Sequence, residues 1–334
     1  MKNIGVIGYG YWGPNVVRNL MSIHETNVVI LCDSNPEALD RAKEYYPYLE
    51  MTQSEDDIFH SPQIDAVAIV TPVSTHYKLA RQALENNKNI FIEKPFTQTS
   101  KEAEELIQIA EQKGLIIMVD HTFLFTGAVR KIKEIIDENT LGALYYYDAT
   151  RVSLGLFQQD VNVIWDLAPH DFSIINYIIQ NKPVALAAHG RDHTGSGQEN
   201  IAYITVFFEN SLIVHINVNW LSPVKIRTTL IGGEKKMLVW DDLQSDEKIK
   251  IYDRGVSVEN KEGLYRLLVD YRAGDMWAPR LDHAEALKRE LQYFAQCLEK
   301  GEKPFNDGVS GLQVVKMLEA TTESLHAKGA LIKL

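Results

Sequence analysis

The sequence predicts an α/β chain in which an N-terminal doubly wound parallel sheet precedes an α+β domain with a large, mostly antiparallel open sheet. Three observations lead there. Up to about Asp120, short β-rich runs alternate with helical patterns, the sign of βαβ units and a parallel sheet. Beyond it, longer β-rich stretches follow one another with little helix between them, as in an antiparallel sheet. A chain of 334 residues also exceeds what one hydrophobic core usually serves. The boundary is therefore expected near residue 120, giving domains 1–120 and 121–334, with a last helix able to pack back on the first.

In the first domain, strands are expected at Ile4–Gly8, Val28–Cys32, Ala66–Val70, Asn89–Ile92 and Ile116–Val119. Helices are expected around Pro14–Ser22, Pro36–Tyr46, Ser74–Asn86 and Lys101–Lys113. Ser100 reads as the cap of the last helix, Glu102 to Glu104 complement its dipole, and Gly114 ends it. In the second domain, helices near Thr126–Glu138 and Asp166–Gln180 accompany strands at Val184–Arg191, Ile201–Phe208, Leu212–Trp220, Lys225–Ile231 and Lys236–Trp240. Glu209-Asn210-Ser211 and Gly232-Gly233 read as hairpin connections. Two helical patterns, Leu281–Lys300 and Val309–Lys328, close the chain.

The bulk composition narrows the function. With 45% hydrophobic and 24% charged residues the chain reads as globular, and a net charge of −11 without any basic block argues against nucleic acid as a partner. No apolar run reaches membrane-spanning length, so no membrane partner is expected either. The two cysteines, Cys32 and Cys297, fit a reducing cytoplasm better than a disulfide framework. The histidines form no metal-ligand spacing, and no metal is expected.

The strongest local signal is Gly8-Tyr9-Gly10-Tyr11-Trp12-Gly13, which follows an apolar strand and opens a helix. Gly8 permits the tight turn, Gly10 lets the backbone approach a pyrophosphate, and Gly13 allows helix and strand to pack closely. The pyrophosphate then lies at the positive end of the helix. Asp33, at the end of the second expected strand, is placed to accept from an adenosine ribose diol. With no Arg or Lys beside it in Cys32-Asp33-Ser34-Asn35, NAD is favoured over NADP. These features together make a Rossmann domain.

In such a sheet the ligand crevice lies outside the C-terminal strand ends, which directs attention to Thr71-Pro72 with His76, to Glu93-Lys94-Pro95 and to Asp120-His121. Lys94 could hold a substrate hydroxyl and stabilise the alkoxide that hydride transfer creates, or it could be a surface lysine paired with Glu93. In Trp165-Asp166-Leu167-Ala168-Pro169-His170-Asp171, Asp166 and His170 share a face if a helix starts here, with Pro169 in its first turn. His170 is then a candidate general base tuned by Asp166; the alternative is a capping Asp with a packed His.

With these segments placed, the chain resembles the Gfo/Idh/MocA family of sugar and cyclitol dehydrogenases over nearly its full length. Residues 8–15, residues 165–171 and Gly274-Asp275-Met276-Trp277-Ala278-Pro279 are similar to the subgroup acting on nucleotide-linked sugars, of the UDP-N-acetylglucosaminuronate 3-dehydrogenase kind. The resemblance implies catalytic roles for Lys94, Asp166 and His170. It implies cofactor contacts from the glycine turn, Asp33, Ser34, Thr71, Pro72, His76, Glu93 and Lys94. It implies substrate contacts from Lys94, His121, Arg151, Asn162, Trp165, Asp166 and His170. Ala168-Pro169 departs from the glycine common before the histidine, which leaves open whether His170 or Lys94 is the main proton carrier. A homo-oligomer, dimer or tetramer, formed through the open sheet face is also implied. The expected activity is NAD-dependent oxidation of a ring hydroxyl, at C3, of a nucleotide-linked sugar. The alternatives are an inositol or free-sugar dehydrogenase and, from another class, a non-catalytic NAD-sensing protein.

Overall fold

The computed structural model describes residues 1–155, 160–253, 255–257, 270–272 and 274–334. In chain order the first elements are β1 (Lys2–Ile7), α1 (Gly13–Ser22), β2 (Thr26–Cys32), α2 (Pro36–Tyr45), β3 (Glu50–Thr52), α3 (Asp56–Phe59), β4 (Ala66–Ile69), α4 (Val73–Glu85), β5 (Asn89–Glu93), α5 (Ser100–Lys113) and β6 (Ile117–Asp120). A short 3-10 turn, Thr122–Phe125, leads to α6 (Gly127–Asp137), β7 (Leu144–Leu154), α7 (Val163–Ile178), β8 (Pro183–Arg191), β9 (Ile201–Phe208) and β10 (Ile213–Asn219). There follow β11 (Leu221–Gly233), β12 (Met237–Asp241), β13 (Ile249–Tyr252), β14 (Gly255–Ser257), β15 (Asp270–Arg272), β16 (Met276–Trp277), α8 (Ala286–Lys300), α9 (Gly308–His326) and β17 (Ile332–Lys333).

Two compact units result, Met1–Phe125 with Ala284–Glu319, and Thr126–His283 with Ala320–Leu334. The stretch 284–319, assigned to the second domain on sequence, thus counts with the first unit. Its reason is apolar: α8 buries Leu287, Leu291, Phe294 and Ala295, and Phe294 meets Phe91 of β5 with ring centroids 5.7 Å apart.

The first unit holds a six-stranded sheet in the order β3-β2-β1-β4-β5-β6, all parallel. Covered on both faces, its strands read as continuous apolar runs; all four residues of β4 are buried. The order reverses between β1 and β4, so the crevice opens at their C-terminal ends. Helix α5 corrects one expectation. Its cap is Thr99, not Ser100: Thr99 accepts from the Glu102 N–H while Glu102 reaches back to the Thr99 N–H, a full capping box. The strand β3 and helix α3 escaped the sequence reading because each spans only a few residues.

The second unit is built on a nine-stranded sheet ordered β16-β13-β12-β11-β7-β10-β9-β8-β17. Every neighbouring pair is antiparallel except β7–β10, which is parallel. Residues alternate between faces, so Ala202, Ile204, Val206 and Phe208 of β9 are buried with Val214, Ile216 and Val218 of β10, beneath α7. Gly232-Gly233, expected as a hairpin connection, lies within β11, and the turn follows at Glu234 to Lys236. A side chain on Gly232 would strike the Tyr146 ring of neighbouring β7, 2.1 Å away, which accounts for the glycine. Pro169 also lies deeper than expected, because α7 begins at Val163 behind the Asn162 cap.

Candidate active site

In the first unit, each glycine of the turn has a measurable constraint. Gly8 has φ +103°, and a Cβ there would lie 2.2 Å from the Val70 carbonyl oxygen at the end of β4. A Cβ on Gly13 would lie 2.4 Å from the Gly8 carbonyl oxygen, so α1 starts directly against the turn. Among the described residues, nothing comes within 4 Å of the position a Cβ on Gly10 would take, which leaves its backbone open to a ligand.

The helix that follows offers its N–H groups. Trp12, the α1 N-cap, makes no side-chain capping bond, whereas the caps of α2, α5, α6 and α7 all do. Helix α4, capped by Pro72 at the end of β4, lacks a side-chain cap too. Asp33 stands beside the turn, accepting from the Tyr9 N–H at 2.6 Å and the Asn35 N–H at 2.8 Å. Each carboxylate oxygen retains a further lone pair for a ribose hydroxyl. The residues present thus fit a dinucleotide: uncapped amides for the pyrophosphate, an open backbone at Gly10 and a fixed carboxylate for the ribose. Within the turn the side chains diverge, Tyr9 being buried and Tyr11 exposed. Ser34 is exposed, and its carbonyl accepts from Gln53.

The remaining strand ends are braced to one another. His76 is fully buried, and its ring nitrogens meet the Pro95 and Thr71 carbonyl oxygens, each at 2.8 Å. It thereby ties the loop after β4 to the loop after β5. Glu93 accepts from the Lys94 N–H, and the Lys94–Pro95 peptide bond is cis. Lys94 itself is half-buried.

His121 is only 1% exposed, and neither ring nitrogen has a hydrogen-bond partner among the described residues. Burial, and then the neighbouring Lys94 charge, push its pKa down to about 3, so it is neutral at physiological pH. A neutral imidazole offers one donor and one acceptor, the equipment for a hydroxyl or a carboxamide.

In the second unit, α7 carries Asp166 and His170 one turn apart. Asn162 caps the helix by accepting from the Ile164 and Trp165 N–H groups, each at 3.1 Å, and donates to Glu199. Asp166 accepts from the Trp220 indole at 3.1 Å, which fixes its carboxylate. The Trp165 indole donates to the Thr322 hydroxyl at 3.0 Å. His170 is half-buried, and its carbonyl accepts from Ser173.

Arg151, for which substrate contact was expected, is 5% exposed and pairs with Asp171 at 2.9 Å. Its charge joins β7 to α7, a buried pair whose separation costs about 3–5 kcal/mol when one partner is removed. Trp220 and Asp171 were missed as members of this constellation. Trp220 reaches Asp166 across 54 residues, a proximity that only strand pairing creates.

Residues 2–121 match the model of the Gfo/Idh/MocA oxidoreductase family's NAD-binding Rossmann fold, and residues 129–239 match the family's C-terminal domain. The chain belongs to the Gfo/Idh/MocA family. It is an NAD-dependent oxidoreductase of that family. It is 26% identical over 338 residues to a scyllo-inositol 2-dehydrogenase (NAD(+)) of Bacillus subtilis, covering 96% of this chain and 93% of that one. It is 27% identical over 316 residues to a UDP-N-acetylglucosamine 3-dehydrogenase of Acidithiobacillus ferrooxidans, covering 93% of each. The solved structure of UDP-N-acetylglucosamine 3-dehydrogenase GnnA from that organism shares the fold, with a TM-score of 0.83 at 24% identity over 98% of both chains. GenD2 from gentamicin A biosynthesis, solved in complex with NAD, does so with a TM-score of 0.83 at 17% identity, covering 100% of this chain and 96% of that one.

Proposed function

We propose that this oxidoreductase acts on a CH–OH group, oxidising a ring hydroxyl, at C3, of a nucleotide-linked sugar such as a UDP-N-acetylated hexuronic acid, or reducing the corresponding ketone. The observation that carries the reading is the NAD-type turn of the first unit, in a chain that also carries polar groups suited to alcohol oxidation, Lys94 in that unit and Asp166 with His170 one turn apart on α7. Similarity to a UDP-N-acetylglucosamine 3-dehydrogenase over 93% of each chain supports the substrate class. Bound NAD supplies the hydride acceptor at nicotinamide C4.

In this reading Lys94 donates to the reacting oxygen and stabilises its developing negative charge. His170 accepts the hydroxyl proton, alone or with Lys94, and Asp166, held by Trp220, orients substrate or histidine. Asn162, Trp165 and His121 contribute binding contacts, and Arg151 acts through α7. Ser34, Thr71, Pro72 and Glu93 border the cofactor. We place the enzyme in a reducing cytoplasm, in keeping with two buried, unpaired cysteines. We also propose a homo-oligomer formed on the outer sheet face, where Tyr203, Phe207 and Ile213 stand 44%, 37% and 42% exposed.

The test is NADH formation by purified protein with a panel of UDP-sugars and UDP-uronic acids. Lys94→Ala should lower kcat by 10²-fold or more while leaving NAD affinity within about threefold. Wild-type turnover by that variant would remove Lys94 from the chemistry. A second reading, an inositol dehydrogenase, is favoured by the scyllo-inositol relative and predicts that inositols lead the panel. NAD binding without turnover of any panel member would favour a sensing role.

A further inference from the structure

Trp12 lies between Gly10 and Gly13 and is the N-cap of α1, so its backbone belongs to the phosphate-binding turn. Its indole nevertheless reaches away, donating to Asp120 at the end of β6 at 3.2 Å. Asp120 is itself only 2% exposed and also accepts from the Thr122 hydroxyl. Behind it stands Glu290 of α8, fully buried, in side-chain contact with Asp120.

Two buried carboxyls in contact need a shared proton. While both are ionised neither can donate, and the Glu290 Oε2 atom makes no hydrogen bond among the described residues, although the Thr122 hydroxyl lies nearby. With one proton between them the contact becomes a hydrogen bond and the repulsion ends. Burial first, then the Asp120 charge and that of Glu93, hold the Glu290 pKa well above the usual carboxylate range. The other Glu290 oxygen accepts from Asn306 at 3.1 Å, and Asn306 also donates to the Val119 carbonyl at 2.8 Å. With Oε1 taken by Asn306, Oε2 is the oxygen left to carry the proton.

We propose that Glu290, acting through Asp120, is a positioning residue for the dinucleotide: it holds the Asp120 carboxylate that anchors the Trp12 indole and with it the backbone of the phosphate-binding turn. The turn is otherwise an uncapped, glycine-rich segment whose ordering on binding costs conformational entropy. The anchor meets that cost in advance. The shared proton also removes one negative charge from the neighbourhood of a site that must accept a pyrophosphate. The inference rests on assigning the turn from Gly8 to Gly13 to that pyrophosphate.

The experiment is calorimetric titration of NAD into full-length wild-type protein and four variants, with thermal unfolding of each followed in parallel. Trp12→Phe keeps the ring and loses the donor; it should weaken NAD binding roughly tenfold, the value of a hydrogen bond to a charged group. Glu290→Ala should weaken binding to a similar extent. Glu290→Gln, whose amide can donate to Asp120 while its oxygen accepts from Asn306, should recover most of that loss, and Asp120→Ala should match Trp12→Phe. NAD affinity of Trp12→Phe within twofold of wild type would overturn the proposal, as would equal losses in Glu290→Gln and Glu290→Ala with both folded. No NAD binding by folded wild-type protein would instead overturn the assignment of the turn itself.

Discussion

At the scale of single residues, His121 shows how burial sets chemistry. Its folded pKa lies near 3 against an ordinary value of 6.5. The unfolded chain therefore takes up a proton at this residue below pH 6.5, and the folded chain does not until about pH 3. The stability it contributes is present above pH 6.5 and is lost as pH falls toward 3. Between pH 6.5 and 5 that amounts to about 2 kcal/mol. Urea unfolding at several pH values should show this slope in wild type and a flatter one in His121→Gln; identical slopes would contradict the assignment. Glu290 has the opposite sign, its raised pKa making the fold lose stability as pH rises, up through the folded value. The sequence marked His121 because it follows a strand. It could not mark Glu290, whose importance comes from meeting Asp120 across 170 positions of chain.

At the scale of elements, local chemistry was readable where it is strictly local. The glycine turn, the α5 terminus at Gly114 and the Asp166/His170 spacing all follow from short-range rules. The single-position error at α5 has a physical origin, because Thr99 and Ser100 are both competent caps and only Thr99 stands three residues before Glu102. Thr99→Ala should therefore lower stability by about 1 kcal/mol, and Ser100→Ala by no more than a few tenths. Chemical unfolding of the two variants tests this, and equal losses would contradict the capping box. The strand β7 was missed although it occupies the middle of the second sheet. Its run of three tyrosines and its interspersed Asp148, Thr150 and Arg151 hide the alternation, and its partners β10 and β11 lie far along the chain. The first of these pairings is parallel and so needs a long crossover, which includes α7. The pair Arg151–Asp171 belongs to the same lesson, since a helix 20 positions along the chain supplies the partner of an arginine on the missed strand.

At the scale of the molecule, the sheet of the second unit is covered by helix on one face and presents Tyr203, Phe207 and Ile213 on the other. An apolar patch on an antiparallel sheet is a natural surface for a second copy of the chain. On the proposal that such a homo-oligomer forms, Phe207→Glu and Ile213→Glu together should reduce the particle mass seen by light scattering to that of one 37.9 kDa chain. An unchanged oligomer would place the interface elsewhere. The division into an NAD-binding unit and a sheet-bearing unit was legible in the sequence, because the switch from alternating to consecutive strands is a long-range pattern. The return of 284–319 to the first unit was legible only in part, as a helix able to pack back, since nothing local records which core a helix will join.

The central claim, that this chain moves hydride between NAD and a ring carbon of a nucleotide-linked sugar, is tested most directly by isotope. A UDP-N-acetylated sugar or uronic acid deuterated at C3 should, on turnover, give NADH carrying the deuterium at nicotinamide C4, detected by mass spectrometry or proton NMR. Unlabelled NADH from that substrate would move the reaction to another carbon. No reduction with any nucleotide-linked sugar, while an inositol reduces NAD readily, would contradict the account.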